Sequence, residues 1–216
     1  MEGLSLVRIE AVPTPSGSGV TIQNRLMGPE GGSDKLLVML PGNNYSCDAP
    51  AFFYLKQAAV AAGWDALSTA YAFQQTGADV DGPAMLADVR AAVDKVLPNG
   101  YKQICIAAKS LGSAIALPLA RSLSAYRPSL LILTPVPAFL QEPVGELHTL
   151  VVIGTDDPVY HMPECAAARE RADAEWVVIP DLDHGFNMKG NWERSVAALP
   201  QVIAPCLRFL SAQSGA

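Results

Sequence analysis

Charge is scarce in this chain. Only 17% of its 216 residues are Asp, Glu, Lys or Arg, and the 21 acidic ones outnumber the 15 basic ones. No cluster of Lys and Arg stands out. A duplex-binding surface needs such a cluster to displace phosphate counterions, so nucleic acid is not expected as a partner. No run of about 18 or more apolar residues occurs either, which argues against a membrane span. The amino terminus, MEGLSLVRIEAVPTP, lacks the basic start and unbroken apolar stretch of a signal peptide, and alternates as a strand does. Cysteine is sparse and scattered: Cys47, Cys105, Cys165 and Cys206 have neither metal-type nor disulfide-framework spacing. Cys105 and Cys206 sit in apolar runs and read as packing residues. A reduced, cytoplasmic setting follows, with no metal and no cofactor expected.

What is present is apolar: half of the residues are hydrophobic, and a chain of this length can bury a sizeable core. Two short alternating runs, Ser5–Ala11 and Gly19–Leu26, are separated by turn residues and predict a hairpin. After GPEGGSDK the pattern changes to near-continuous apolar runs, as in strands covered on both faces. These are Leu36–Leu40, Trp64–Ala70, Gln103–Ala107, Leu130–Leu133, Leu150–Ile153 and Trp176–Ile179. Helix-period segments lie between and after them: Pro50–Ala62, Pro83–Val96, Leu111–Leu123, Pro163–Ala174 and Trp192–Leu210. Pro118 should kink its helix, and Pro200 and Pro205 should bend or divide the last one. The alternation predicts an α/β fold with a mainly parallel sheet, an N-terminal antiparallel hairpin and helices on both faces. No linker divides the chain, so residues 1–216 read as one domain. Ligands of such sheets gather where the strands end at their carboxyl termini.

One of those ends, ICIAAKSLGSAIAL (Ile104–Leu117), poses a choice between Lys109 and Ser110. A phosphate-binding loop needs Gly-x-x-x-x-Gly-Lys-Ser/Thr. Here Gln103 and Ala108 stand where its two glycines belong, and strand formers fill the gap. The alternative is a nucleophile elbow, usually written Gly-x-Ser-x-Gly. Its strained strand–Ser–helix turn demands small residues two before and two after the serine, and these are Ala108 and Gly112. Ser110 then sits at a helix amino terminus, with the Leu111 N–H placed for a developing negative charge. A plain N-cap serine is the simpler reading of the motif alone, so its partners decide.

A serine hydroxyl needs a base, most often a histidine oriented by a carboxylate. Of three histidines, His148 starts a strand at the remote end of the sheet, and His161 lies just past a strand-end loop. His184, in VVIPDLDHGF, follows the last strand on the correct edge and reads as the base. The alternatives for it are a surface-loop histidine or a metal ligand, and Asp-x-Asp-His is weak metal spacing. The acid is Asp157 in TLVVIGTDDPVY, because Pro158 pushes it into an extended conformation; Asp156 is the fallback. Two amides must hold an oxyanion. Leu111 supplies one, and the loop PGNNYS supplies the other from Asn43, or else Asn44.

With LLVMLPGNN, AAKSLGS, VVIGTDDP and DLDHGF in this order, nearly the whole chain resembles the α/β-hydrolase superfamily of serine hydrolases. Only TPVPAFLQEPVGELHT separates Leu133 from Leu150, which leaves no room for a lid domain. The resemblance is therefore to the small dienelactone-hydrolase-like branch, with serine in place of its cysteine. It implies Ser110 as nucleophile, His184 as general base, Asp157 as its orienting acid, and the Asn43 and Leu111 amides as oxyanion hole. It also implies a carboxylesterase-type hydrolase of a small neutral ester, thioester or lactone. Pocket walls would come from Tyr45, Tyr71, Phe73, Phe139 and Phe186, and Lys109 reads as a solvated lysine at the start of a helix. Two other functions remain open: a catalytically silent binding protein on the same fold, or a lyase or C–C hydrolase using the same three residues. A small molecule is the expected partner, and a homodimer is compatible with the sequence.

Overall fold

The computed structural model of the chain describes residues 7–212; Ser5 and Leu6 of the expected first strand lie outside them. In chain order the elements are β1 (Val7–Pro15), β2 (Thr21–Pro29), β3 (Lys35–Leu40), α1 (Pro50–Ala61), β4 (Asp65–Ser68) and the short α2 (Phe73–Thr76). Then come α3 (Gly82–Val96), β5 (Gln103–Ser110), α4 (Ala116–Ser122), β6 (Ser129–Pro135) and the short α5 (Pro137–Leu140). β7 (Thr149–Gly154), α6 (Pro163–Glu170), β8 (Glu175–Ile179) and α7 (Trp192–Ala212) complete the chain.

All eight strands form one sheet in the order β1-β2-β4-β3-β5-β6-β7-β8. The hairpin pair and its seam with β4 are antiparallel; the other seams are parallel. The apolar runs are continuous because both faces of the central strands are covered. Leu36, Val38, Ile104, Ile106, Leu130, Ile132 and Val151 pack with α3 and α4 on one side. Their alternates Leu37, Met39, Cys105, Ala107, Leu131 and Val152 pack with α1 and α7 on the other. Period-2 alternation thus divides one set of strands between two cores.

The expected helix Leu111–Leu123 is two elements, a 3-10 turn over Leu111–Ile115 followed by α4. The tighter turn is held by Ser113 Oγ, which donates to the Ser110 carbonyl at 2.6 Å. Pro118 consequently stands in the first turn of α4, where its missing N–H would have no intrahelical acceptor, and the expected kink has no cause. Pro200 and Pro205 do not divide α7, which runs unbroken for 21 residues. Helix α7 is long and apolar enough to cross a membrane by length and composition. Its Val202, Cys206, Phe209 and Leu210 are nonetheless buried in the α1-side core, as in a core helix.

Candidate active site

β5 runs past its apolar stretch to Ser110, where the backbone turns sharply into the 3-10 segment. Ser110 adopts φ 50° and ψ −119°, a region an L-residue enters only when its surroundings impose it. The pairing of β5 with β6 slips between Lys109 and Ser110. Gly112 allows the turn: a Cβ there would lie 2.4 Å from the Leu40 carbonyl oxygen and 2.8 Å from that of Pro41. The helical segment therefore passes backbone to backbone over the end of β3. This is the steric demand expected of the second small position.

His184 lies on the strap between β8 and α7. Its Nε2 is 2.7 Å from Ser110 Oγ, and its Nδ1 is 2.8 Å from Asp157 Oδ2. Asp157 follows the end of β7 with φ −70° and ψ 123°, the extended form that Pro158 favours. Its carboxylate is wholly buried, whereas the His184 side chain is 39% exposed. Asp157 Oδ1 accepts a further bond from the Val159 N–H at 2.9 Å. An acceptor held from both sides orients the imidazole with Nδ1–H toward the carboxylate and the Nε2 lone pair toward the serine. Residues 110, 157 and 184 thus form one hydrogen-bonded chain.

The strap approaches β7 very closely. The Asp156 N–H donates to the Leu182 carbonyl at 3.0 Å, so Asp156, the fallback acid, contributes its backbone to this crossing. A Cβ on Gly154 would stand 1.9 Å from the Leu182 oxygen. Asp183 shapes the rest of the strap: its Oδ1 accepts from the Gly185 and Asn187 amides at 2.8 Å each. Asp181 and Phe186, flanking His184, both have φ of 62°.

On the other side of Ser110 the loop after β3 makes a tight turn, with the Gly42 N–H donating to the Tyr45 carbonyl at 3.0 Å. A Cβ on Gly42 would be 3.4 Å from that of Ser110, so the expected oxyanion loop does border the serine. Asn43 and Asn44 are both exposed at its tip. Gln74 Nε2 on α2 donates to the Gly42 and Asn43 carbonyls at 3.3 and 3.2 Å. Leu111 opens the 3-10 segment, where the first amides lack intrahelical acceptors.

The five expected wall aromatics divide. Tyr45 and Phe73 keep partly open surface. Tyr71, Phe139 and Phe186 are buried in the core and offer no open wall. Tyr71 is committed to structure, its hydroxyl donating to the Pro41 carbonyl at 3.0 Å while its ring stacks on Phe73. His161 bonds the Thr155 carbonyl and His148 packs on Phe209, both away from Ser110.

Lys109 departs most from expectation. It is only 1% exposed, because it continues the Cys105–Ala107 side of the strand into the α1–α7 core. Strand parity could have revealed this, since a residue two beyond Ala107 on a strand shares its face. The organising role of Asp183 also has a local signal, since an Asp side chain commonly accepts from the backbone amide two residues on, here that of Gly185.

No protein-family model matches the sequence, and no curated protein matches it. Solved structures do resemble it. A dienelactone hydrolase from Anabaena variabilis is 18% identical, with 95% of this chain and 98% of that one covered at a TM-score of 0.73. A lidless α/β serine hydrolase from Xanthomonas campestris is 16% identical over 92% and 94% of the two chains, TM-score 0.68. A cold-adapted esterase from an Arctic intertidal metagenomic library is 16% identical over 97% and 95%, TM-score 0.74.

Proposed function

We propose, from the α/β-hydrolase fold that this chain has, that it is a serine hydrolase acting on small neutral esters, thioesters or lactones. The observation that carries this reading is the unbroken chain Ser110 Oγ–His184–Asp157, with contacts of 2.7 and 2.8 Å on a serine held at positive φ. A structural serine needs neither an imidazole at that distance nor a strained backbone.

His184 Nε2 takes the Ser110 proton as Oγ attacks the carbonyl carbon. The positive charge on the imidazolium is met by the Asp157 carboxylate, which stays ionised. The carbonyl oxygen, now negative, is held by the Leu111 and Asn43 amides. On collapse the C–O or C–S bond breaks, and the leaving alkoxide or thiolate takes the proton from Nε2. Water then gives a proton to the same nitrogen and attacks the acyl carbon; the bond from that carbon to Ser110 Oγ breaks, Oγ takes the proton back from Nε2, and the acid leaves. A neutral substrate fits because the lysine next to the serine is buried and cannot meet an anion in the cleft. The short segment between β6 and β7 supports an open cleft with no lid over it.

The deciding experiment is labelling by a fluorophosphonate, together with hydrolysis of p-nitrophenyl esters of increasing chain length. Labelling of the wild type that vanishes in Ser110→Ala, with loss of ester hydrolysis, supports the reading. A wild-type protein that neither labels nor hydrolyses any of the esters overturns it in favour of a binding protein.

A further inference from the structure

Lys109 is a cation with almost no access to water. Its Nζ donates to Thr134 Oγ1 at 2.7 Å and to the main-chain carbonyl of His184 at 2.6 Å. The Tyr45 and Phe186 rings face it, with centroids at 4.5 and 5.1 Å. Burying an ammonium is unfavourable unless each donor finds an acceptor and the charge a counter-field. A methionine or leucine would fill this core position at less cost, so packing alone does not account for a lysine.

The contacts suggest what does. Lys109 is covalently joined to Ser110, and its far end holds the backbone of the residue whose ring bonds Ser110. Serine, lysine, the His184 carbonyl and the imidazole close a ring. The strap needs a tether: it has no regular secondary structure, and positive φ on both sides of His184 shows that it does not rest in a relaxed form. Thr134 adds a second sign of strain, for it is a β-branched residue at φ 44° and wholly buried. That conformation presents its hydroxyl to the lysine.

We propose that Lys109 is a positioning residue for the His184 imidazole, its clamped ammonium holding the His184 carbonyl and so setting the distance from ring to Ser110 Oγ. The inference rests on the serine-hydrolase reading for its consequence in rate. The charged and titratable groups around the amine are Asp157 after β7, Asp183 and His184 on the strap, and Tyr45 on the loop after β3. Burial pushes the amine down to about 8, opposed by the Asp157 and Asp183 charges. At neutral pH it is therefore a cation, and charge-assisted donation is the stronger kind.

The test compares full-length wild type with Lys109→Met, which fits between the two rings but cannot donate. We expect a folded variant whose kcat for p-nitrophenyl acetate falls about 10- to 100-fold, as for an angstrom-scale misplacement, with KM within about 2-fold. Its crystal structure should show His184 Nε2 moved out of bonding reach of Ser110 Oγ. Lys109→Arg, which keeps charge and donors, should recover part of kcat. A role confined to stability would lower the melting temperature and leave kcat of the folded protein intact. Wild-type kcat in Lys109→Met, or a crystal structure retaining the serine–imidazole contact, overturns the proposal. Should Lys109→Met fail to fold, Thr134→Val removes one anchor of the amine and keeps the branched shape. A drop of about 3- to 10-fold in kcat then supports the proposal, and unchanged kcat overturns it. Failure of fluorophosphonate labelling in the wild type would sink the hydrolase reading by itself, while the crystal structures still decide whether Lys109 holds the ring.

Discussion

Gly154→Ala should disable the site without touching any side chain in it. Gly154 ends β7, three residues before Asp157, and the strap crosses it at Leu182, two residues before His184. The added methyl would lie 1.9 Å from the Leu182 oxygen, 2.6 Å from its carbonyl carbon and 2.7 Å from its Cβ. All three belong to backbone or to the stem of a buried side chain, so nothing flexible can swing away. Gly154 is not among the positive-φ glycines, so the penalty is one of space. Reaching an ordinary separation of about 3.5 Å requires the two backbones to part by about 1.5 Å. That displacement would break the Asp156–Leu182 bond, now 3.0 Å. It would also carry the His184–Asp157 contact of 2.8 Å beyond hydrogen-bond range. Overpacking of this kind costs about 1–3 kcal/mol of stability, while loss of alignment costs on the order of 10²-fold in kcat. The assay is p-nitrophenyl acetate hydrolysis corrected for folded fraction, alongside thermal unfolding. Gly31→Ala is the control, because a methyl there meets nothing within 4 Å. A Gly154→Ala protein with wild-type kcat and melting temperature would refute the argument that this crossing sets the Asp–His distance.

Asp157→Asn should fold normally yet lose on the order of 10⁴-fold in kcat at neutral pH, since the amide favours the wrong imidazole tautomer; steady-state kinetics checks this. Ser113→Ala should cost about 1–3 kcal/mol in urea unfolding, because it strands the Ser110 carbonyl and the Val136 N–H that its hydroxyl joins. Buried thiols predict an alkaline stability loss. Burial raises Cys105 from 9.0 to about 12, so the unfolded thiol loses its proton first. The Cys105 contribution is present in full below pH 9 and is lost as pH rises through the window from 9 to about 12. At pH 10 the loss amounts to about 1.4 kcal/mol. In urea unfolding, the stability of Cys105→Ala should fall by about 1.4 kcal/mol less than that of the wild type between pH 8 and 10, and an equal fall would contradict the burial effect.

Much of this was legible in the sequence because it is local. Near-continuous apolar runs separated by helical periods dictate a covered parallel sheet, and every expected central strand is present. The small residues around Ser110 announce a tight turn, and Pro158 sets the conformation of the residue before it. The effect of Pro118 is not local, because it depends on whether the residue stands inside a helix or in its first turn. The 3-10 segment ahead of it, in which the Ser113 hydroxyl also bonds the Ser110 carbonyl, decided that.

What tertiary structure alone decided are distances between segments far apart in the chain. The bond between His184 and Ser110 joins residues 74 positions apart, and no pattern within either segment contains that length. The same is true of the aromatics: Tyr71, Phe139 and Phe186 carry the same side chains whether they line a cleft or fill a core, and only their neighbours assign them to the core. Lys109 shows the division most clearly. Strand parity could place it on the inner face, but whether a cation survives there depends on Thr134, the His184 carbonyl and two rings from other loops. Burial, and with it the strength of every polar contact, is a property of what surrounds a residue in space and is not encoded at the position itself.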